Sequence, residues 1–180
     1  MWSAMKKNIL LIITGGIAAY KTLELTRNLR KDGYEVRCVA TSAALEFVNS
    51  LSLSVLSDNK VYTDMWEERS DVTHISLPAW ADLIVVAPAT ANTIAKMANG
   101  IADDFASSIL LAADSPVLVV PAMNTRMWNH PATQKNIATL DEYGISVTET
   151  TCGELACGTR GEGRMIEIDA IKEKIDGFFK

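Results

Sequence analysis

The stretch Ile9-Leu10-Leu11-Ile12-Ile13-Thr14-Gly15-Gly16-Ile17-Ala18-Ala19-Tyr20-Lys21 decides the architecture of this chain. Its unbroken apolar head, residues 9–13, predicts a strand covered on both faces, as in a parallel sheet. The glycine pair makes a turn, and Ala18, Thr22, Leu25 and Leu29 then recur at helical spacing until Asp32-Gly33 stops the helix. Strand, turn and helix together are the first half of a β-α-β unit. Lys6-Lys7 ahead of the apolar run has the outline of a secretory signal, but Gly15-Gly16 interrupts that run, and a first strand accounts for the same residues. Met1 to Ala4 is expected to be a leader or an upstream start, with Met5 beginning the ordered part.

The same alternation continues downstream. Residues 34–41 read as a second strand, 83–87 and 117–120 as further buried strands, and 145–147 as a short one. Helical patterns cover residues 91–113, with a break near Gly100, then 132–143 and 169–179, while the stretch between residues 42 and 82 reads as irregular. Repeated β-α units specify a parallel sheet with helices on both sides and right-handed crossovers. The expected fold class is therefore α/β, a Rossmann-like or flavodoxin-like three-layer α/β/α sandwich formed as one domain over residues 1–180. A chain of 180 residues buries roughly 70% of its unfolded surface, so neither metal nor disulfide is needed to hold it together.

Composition excludes several classes of partner. Seventeen basic against 22 acidic side chains give a formal charge of −5, and no basic run exceeds a pair, which argues against nucleic acid or an anionic membrane surface. No stretch reaches the ~18 apolar residues of a membrane-spanning helix. Cysteines occur at 38, 152 and 157, an odd number without any C-x-x-C spacing. That pattern suggests neither a disulfide framework nor a zinc site, and a reducing cytoplasm is the expected location.

In an open parallel sheet, ligands sit beyond the carboxyl ends of the strands. After the first strand, Thr14-Gly15-Gly16-Ile17 lets amides at a helix start approach an anion, most often a phosphate. The spaced G-x-G-x-x-G of dinucleotide sites is absent, so a mononucleotide is the better expectation. After the second strand, Thr41-Ser42 offers hydroxyls that either bind phosphate or cap the next helix. Pro88-Ala-Thr-Ala-Asn-Thr93 combines small residues, which admit a flat ring, with the polar groups of Thr90, Asn92 and Thr93. Pro121-Ala-Met-Asn124 puts an amide at the rim of the same crevice.

Residues 150–165 carry Cys152, Cys157 and glycines at 153, 158, 161 and 163. Such a segment reads as a mobile substrate flap bearing the Cys157 thiol and Arg164, with a surface linker as the alternative. Histidine is the side chain suited to exchange a proton near neutrality, and His74 is one of only two. Its alternative reading is a histidine bonded into the scaffold. His130, ahead of Pro131 at a helix start, reads as structural. A thiol left undepressed, as Cys157 would be, can donate a proton.

Taken together, Gly15-Gly16-Ile-Ala-Ala-Tyr-Lys21, His74, Pro88-Ala-Thr-Ala-Asn-Thr93, Pro121-Ala-Met-Asn124, Ala156-Cys157-Gly158 and Gly163-Arg164-Met165 resemble the homo-oligomeric flavin-containing cysteine decarboxylases, in the family's order and over nearly the whole chain. Thr159 departs from the pattern, standing where family members often carry an acidic residue. Within the family the resemblance is strongest to the branch serving coenzyme A synthesis. It implies flavin mononucleotide (FMN) as cofactor and decarboxylation of 4′-phospho-N-pantothenoylcysteine to 4′-phosphopantetheine and CO2. It further implies a homotrimer or dodecamer, with a separate phosphopantothenate–cysteine ligase upstream. The implied site has His74 as base and Cys157 as acid. Asn124, Met123, Arg164 and Met165 would meet the substrate, while Gly15, Gly16, Ile17, Thr41, Thr90, Ala91, Asn92, Thr93 and Ala122 would surround the flavin. No metal is implied.

The chemistry explains why a flavin is needed. Loss of CO2 directly from a C-terminal cysteine would strand a carbanion with no electron sink. Oxidising the side chain from thiolate to thioaldehyde, with hydride passed to the flavin, supplies one: the electrons of the breaking C–C bond flow into C=S and leave an enethiolate. Return of the hydride together with a proton completes the product without net redox change. Other expected readings are a peptidyl-cysteine decarboxylase, a flavin prenyltransferase, which would want basic residues and a Ser-rich first loop, and a non-catalytic flavin-binding regulatory subunit.

Overall fold

The computed structural model describes residues 6–66, 72–156, 158 and 160–180. The expected leader, Met1 to Ala4, lies outside them. Six strands, β1 (Asn8–Ile13), β2 (Glu35–Ala40), β3 (Val61–Tyr62), β4 (Leu83–Ala89), β5 (Val117–Pro121) and β6 (Ser146–Val147), form one sheet in the order β3-β2-β1-β4-β5-β6. Every neighbouring pair in it is parallel. Strand order reverses between β1 and β4, which makes the carboxyl end of that pair the topological switch point where α/β sheets bind ligands.

The continuous apolar runs are explained by the two faces. Successive side chains of a strand point to opposite sides. Accordingly, Ile9, Leu11 and Ile13 of β1 pack with Leu25 and Leu29 of α1 (Lys21–Lys31), Ala44 of α2 (Ser42–Leu45) and Leu53 of α3 (Ser50–Ser57). Leu10 and Ile12 face the opposite layer. There they meet Leu77 of α4 (Thr73–Trp80), Ile94 of α5 (Ala91–Ala98), Ile109 of α6 (Phe105–Leu111) and, beyond α7 (Thr125–Trp128), Leu140 of α8 (Pro131–Glu142). All seven residues of β4 are buried. The last helix, α9 (Ile168–Gly177), adds Ile171 and Ile175 to the first face. A one-turn 3-10 segment, Ile17–Tyr20, leads from the glycine turn into α1.

One expectation about local structure is corrected and another is given detail. Residues 42–82 are not irregular but carry α2, α3, β3 and α4. The sequence of α3, Ser-Leu-Ser-Leu-Ser-Val-Leu-Ser, alternates at the strand period. Local capping makes it a helix: Asn49 Oδ1 accepts from Leu51 N at 2.8 Å, and Asp58 ends it in the left-handed region at φ 55°. Second, the glycine-rich segment, read only as a mobile substrate flap, carries regular structure. Its arms are β7 (Thr151–Glu154) and β8 (Arg160–Arg164), an antiparallel pair forming a second sheet. Among the described residues no helix is long and apolar enough to cross a membrane.

Candidate functional site

The loops that follow β1, β2 and β4 are fastened to one another. Thr14, 1% exposed, donates its hydroxyl to Pro88 O at 2.6 Å and accepts from Thr90 N at 3.2 Å. Thr90 caps α5, its Oγ1 accepting from Thr93 N at 3.2 Å and lying 3.0 Å from Thr93 Oγ1. Thr41 caps α2 by accepting from Ala44 N at 3.1 Å; of the two uses open to it, this structure displays the cap. Thr41 and Thr93 share a narrow crevice with Lys96, Asp104 and Ser107. Ala91 is half-buried and Asn92 exposed on the first turn of α5.

The two glycines meet different neighbours. A Cβ on Gly15 would stand 2.5 Å from Ala43 Cβ and 3.0 Å from the Ala43 backbone, so Gly15 serves the close approach of α2. At Gly16 the nearest atom to such a Cβ is Thr90 Cγ2 at 4.0 Å, which leaves that backbone open to an approaching group. Ile17 beside it is 60% exposed although apolar.

The loop after β5 receives the hairpin. Ala122 N donates to Ala89 O at 3.0 Å, Met123 N to Gly163 O at 2.8 Å, and Thr125 Oγ1 to Glu162 O at 2.5 Å. Asn124 caps α7 through Oδ1, which accepts from Arg126 N at 2.9 Å. Alternation along β8 turns Gly161 and Gly163 inward against this loop. A Cβ on Gly161 would strike the Thr125 side chain, and one on Gly163 the Met123 carbonyl oxygen. Met165 follows in the same inward phase. It is 1% exposed and belongs to the core. Arg164 points outward and pairs with Glu167 at 2.8 Å, and Lys21 reaches the other oxygen of the same carboxylate at 3.0 Å. These two cations hold the Glu167 carboxyl below its ordinary range, Lys21 having the largest effect. Cys157 and Thr159 lie outside the described residues.

His74 stands in the first turn of α4, half-buried, and among the described residues no hydrogen bond holds its ring. Because α4 runs back toward the start of β4, its first turn lies at the carboxyl edge of the sheet, with the other loops. Pro78 has no N–H to return to the His74 carbonyl one turn earlier. His130 is structural, as expected: its Nδ1 accepts from Ala132 N at 3.1 Å and caps α8.

Two contributors escaped the sequence reading. One is the Thr14 bridge. The other is Lys96, which binds Asp103 at 2.6 Å and Asp104 at 2.7 Å beside Thr41 and Thr93. Burial alone would push the Asp104 carboxyl up, but the Lys96 ammonium and the amide and hydroxyl of Ser107 outweigh it and hold the group low. No residue pattern announces either, since both contacts form only after folding. The Cys38 thiol, fully buried, is pushed up to about 12 by desolvation and is inert. Among the described residues no cluster of His, Cys, Asp and Glu could hold a metal ion.

Comparison with known proteins identifies the family. The Flavoprotein family matches residues 3–180. The coenzyme A biosynthesis bifunctional protein CoaBC of Bacillus subtilis (strain 168) is 46% identical over 175 residues, covering 96% of this chain and 43% of that protein. The chain thus spans less than half the length of the bifunctional relatives it matches. A probable phosphopantothenoylcysteine decarboxylase of Streptococcus mutans is 43% identical over 176 residues, covering 96% of this chain and 98% of that protein. Among solved structures, a Cys-to-Ser mutant of PPC decarboxylase complexed with pantothenoylaminoethenethiol superimposes with TM-score 0.89 at 38% identity, covering 97% and 98% of the two chains. The FMN binding protein AtHal3 superimposes with TM-score 0.85, also at 38% identity, covering 96% of each. Matched across nearly its whole length by these sequences and structures, the chain belongs to the Flavoprotein family, the group of flavin-containing cysteine decarboxylases that its motifs resemble.

Proposed function

We propose that this chain is an FMN-dependent phosphopantothenoylcysteine decarboxylase, converting 4′-phospho-N-pantothenoylcysteine to 4′-phosphopantetheine and CO2. The observation that carries the reading is the seating of the glycine-rich hairpin on the β5 loop, through Met123 N to Gly163 O and Thr125 Oγ1 to Glu162 O, beside Asn124. It sets a closing element over the carboxyl edge of the sheet, where the substrate's cysteine end must be enclosed. The names of the Streptococcus mutans and Bacillus subtilis relatives support the substrate assignment.

The residues present fit FMN. The open backbone at Gly16, the exposed apolar Ile17 beside it, and the uncharged hydroxyls and amides of Thr41, Thr90 and Thr93 suit a phosphate and a flat ring together. Ala91, Asn92 and Ala122 complete that surround, and Gly15 acts indirectly by letting α2 approach. When bound, FMN supplies a reversible hydride acceptor that oxidises the substrate thiolate and lets the carboxylate leave.

The rest falls to the chain's own side chains. His74, with no scaffold bond on its ring among the described residues, is the base that takes the substrate's proton. Asn124 orients the substrate carboxylate, and Met123 supplies apolar wall. Cys157 returns the final proton. Arg164 acts through Glu167 at the hairpin's base, and Met165 supports that base from the core. Large exposed apolar residues near this edge, Ile17, Tyr20, Val72 and Ile75, support a site completed by neighbouring copies in a homotrimer or dodecamer. The cysteine-containing substrate requires a phosphopantothenate–cysteine ligase upstream, and free thiols at Cys38 and Cys152 suit a reducing cytoplasm. The test is an absorbance spectrum of the purified protein supplied with FMN, followed by CO2 measurement on adding phosphopantothenoylcysteine. Absence of a bound-flavin spectrum removes the flavin, and bound flavin with CO2 released only from a peptide ending in cysteine reassigns the substrate.

A further inference from the structure

We infer that Thr14 is a positioning residue whose hydroxyl sets the gap between the two switch-point loops, and through it the affinity and seating of the flavin those loops would hold. The inference rests on the flavin reading above.

Paired register between β1 and β4 runs from Ile9 with Leu83 to Ile12 with Val86. On the other side of β4, the register with β5 shifts between Val86 and Ala89. Pro88 falls inside this irregular end and has no N–H to offer a neighbouring strand. There the Thr14 side chain takes the place of a ladder rung. Its one proton goes to Pro88 O at 2.6 Å, and a lone pair receives Thr90 N at 3.2 Å. At 1% exposure, water cannot substitute for either bond.

The geometry transmits directly to the crevice. Gly15 and Gly16 follow Thr14 covalently, while Thr90 caps α5 and brings its Cγ2 to 4.0 Å from the site of a Cβ on Gly16. Loss of the bridging hydroxyl lets the Gly16 backbone and the Thr90 cap move independently, although neither loses its own groups. Thr14 need touch no ligand to act.

The experiment titrates FMN into wild type, Thr14→Val, Thr14→Ser and Thr26→Val, following quenching of flavin fluorescence and the absorbance and visible circular dichroism of the bound flavin. Valine keeps the shape and removes the hydroxyl, and serine restores it. Thr26 is a buried control whose hydroxyl donates to Thr22 O at 2.7 Å within α1. Thr14→Val is expected to weaken FMN about tenfold or more and to alter the bound-flavin spectrum, Thr14→Ser to stay within about threefold, and Thr26→Val to bind as wild type. Wild-type affinity and spectrum in Thr14→Val overturn the inference, and so does an equal loss in Thr26→Val, which would mark general destabilisation. If Thr14→Val does not fold, exchange of the Thr90 amide in wild type decides: about tenfold slowing at saturating FMN supports the bridge, and unchanged exchange overturns it. A wild type that binds no FMN refutes the flavin reading itself, and the inference with it, before any variant is compared.

Discussion

Gly163→Ala should detach the hairpin from the β5 loop while leaving the central sheet folded. Gly163 has φ 110°, and its Cβ would stand on the carbonyl oxygen of Met123, a backbone atom that cannot rotate aside. A side chain in this positive-φ region costs about 1–2 kcal/mol from local sterics alone. Relieving the collision also breaks Met123 N to Gly163 O, 2.8 Å, and Gly163 N to Thr150 Oγ1, 3.1 Å, each contributing about 1 kcal/mol. The sum, about 3–4 kcal/mol on docking, corresponds to a 100- to 1,000-fold shift toward the undocked hairpin. Amide exchange at Met123 reads that shift directly. It should accelerate by two to three orders of magnitude, with turnover falling and the amides of β1 and β4 keeping their protection. Gly153→Ala is the matched control, since its Cβ would meet only the movable Arg164 side chain, with Nη1 at 3.0 Å and Cδ at 3.2 Å. Unchanged Met123 exchange in Gly163→Ala would refute the reasoning.

Cys157→Ser should stop the reaction short of its last proton transfer, so the oxidised enethiol accumulates and phosphopantetheine output drops by roughly 10²- to 10⁴-fold, the usual contribution of a general acid; normal output in product analysis removes Cys157 from that role. His74→Asn should keep bound flavin and lose CO2 release, and unchanged turnover would return His74 to the scaffold. Asp104→Ala removes the α6 cap and the Lys96 partner, about 1–2 kcal/mol together, or about 3–6 °C in melting temperature for a domain of this size. Because the folded carboxyl is held below its ordinary value, that stabilisation is complete above the unfolded pKa near 3.9 and disappears as pH falls through the lower folded value. The melting difference between wild type and Asp104→Ala should therefore persist at pH 6 and shrink below about pH 4; a difference independent of pH would assign the effect to packing.

Much of the frame was legible from residue order. Continuous apolar runs identified β1, β4 and β5, because a strand buried on both faces needs no polar phase. Hydroxyl residues just past strand ends located Thr41 and Thr90, whose capping depends on neighbours three residues away. Where local pattern and tertiary demand diverged, the reading failed. The stretch holding α3 read as irregular because its serine–leucine alternation lacks helical spacing, and only Leu53 of its apolar residues is fully buried. Glycines in β7 and β8 gave a mobile flap but not its seating, in which Gly161 and Gly163 are small because the β5 loop lies against them.

Composition and periodicity on their own determined the α/β class, the alternation of strands and helices, and the chemistry available at each strand end, since these depend on residues a few positions apart. Only the tertiary structure decided that Thr14 bridges to Pro88, 74 positions away, that Gly15 yields to Ala43, and that Met165 belongs to the core. Such contacts follow from strand order and register, which the chain acquires by burying both faces of one sheet at once.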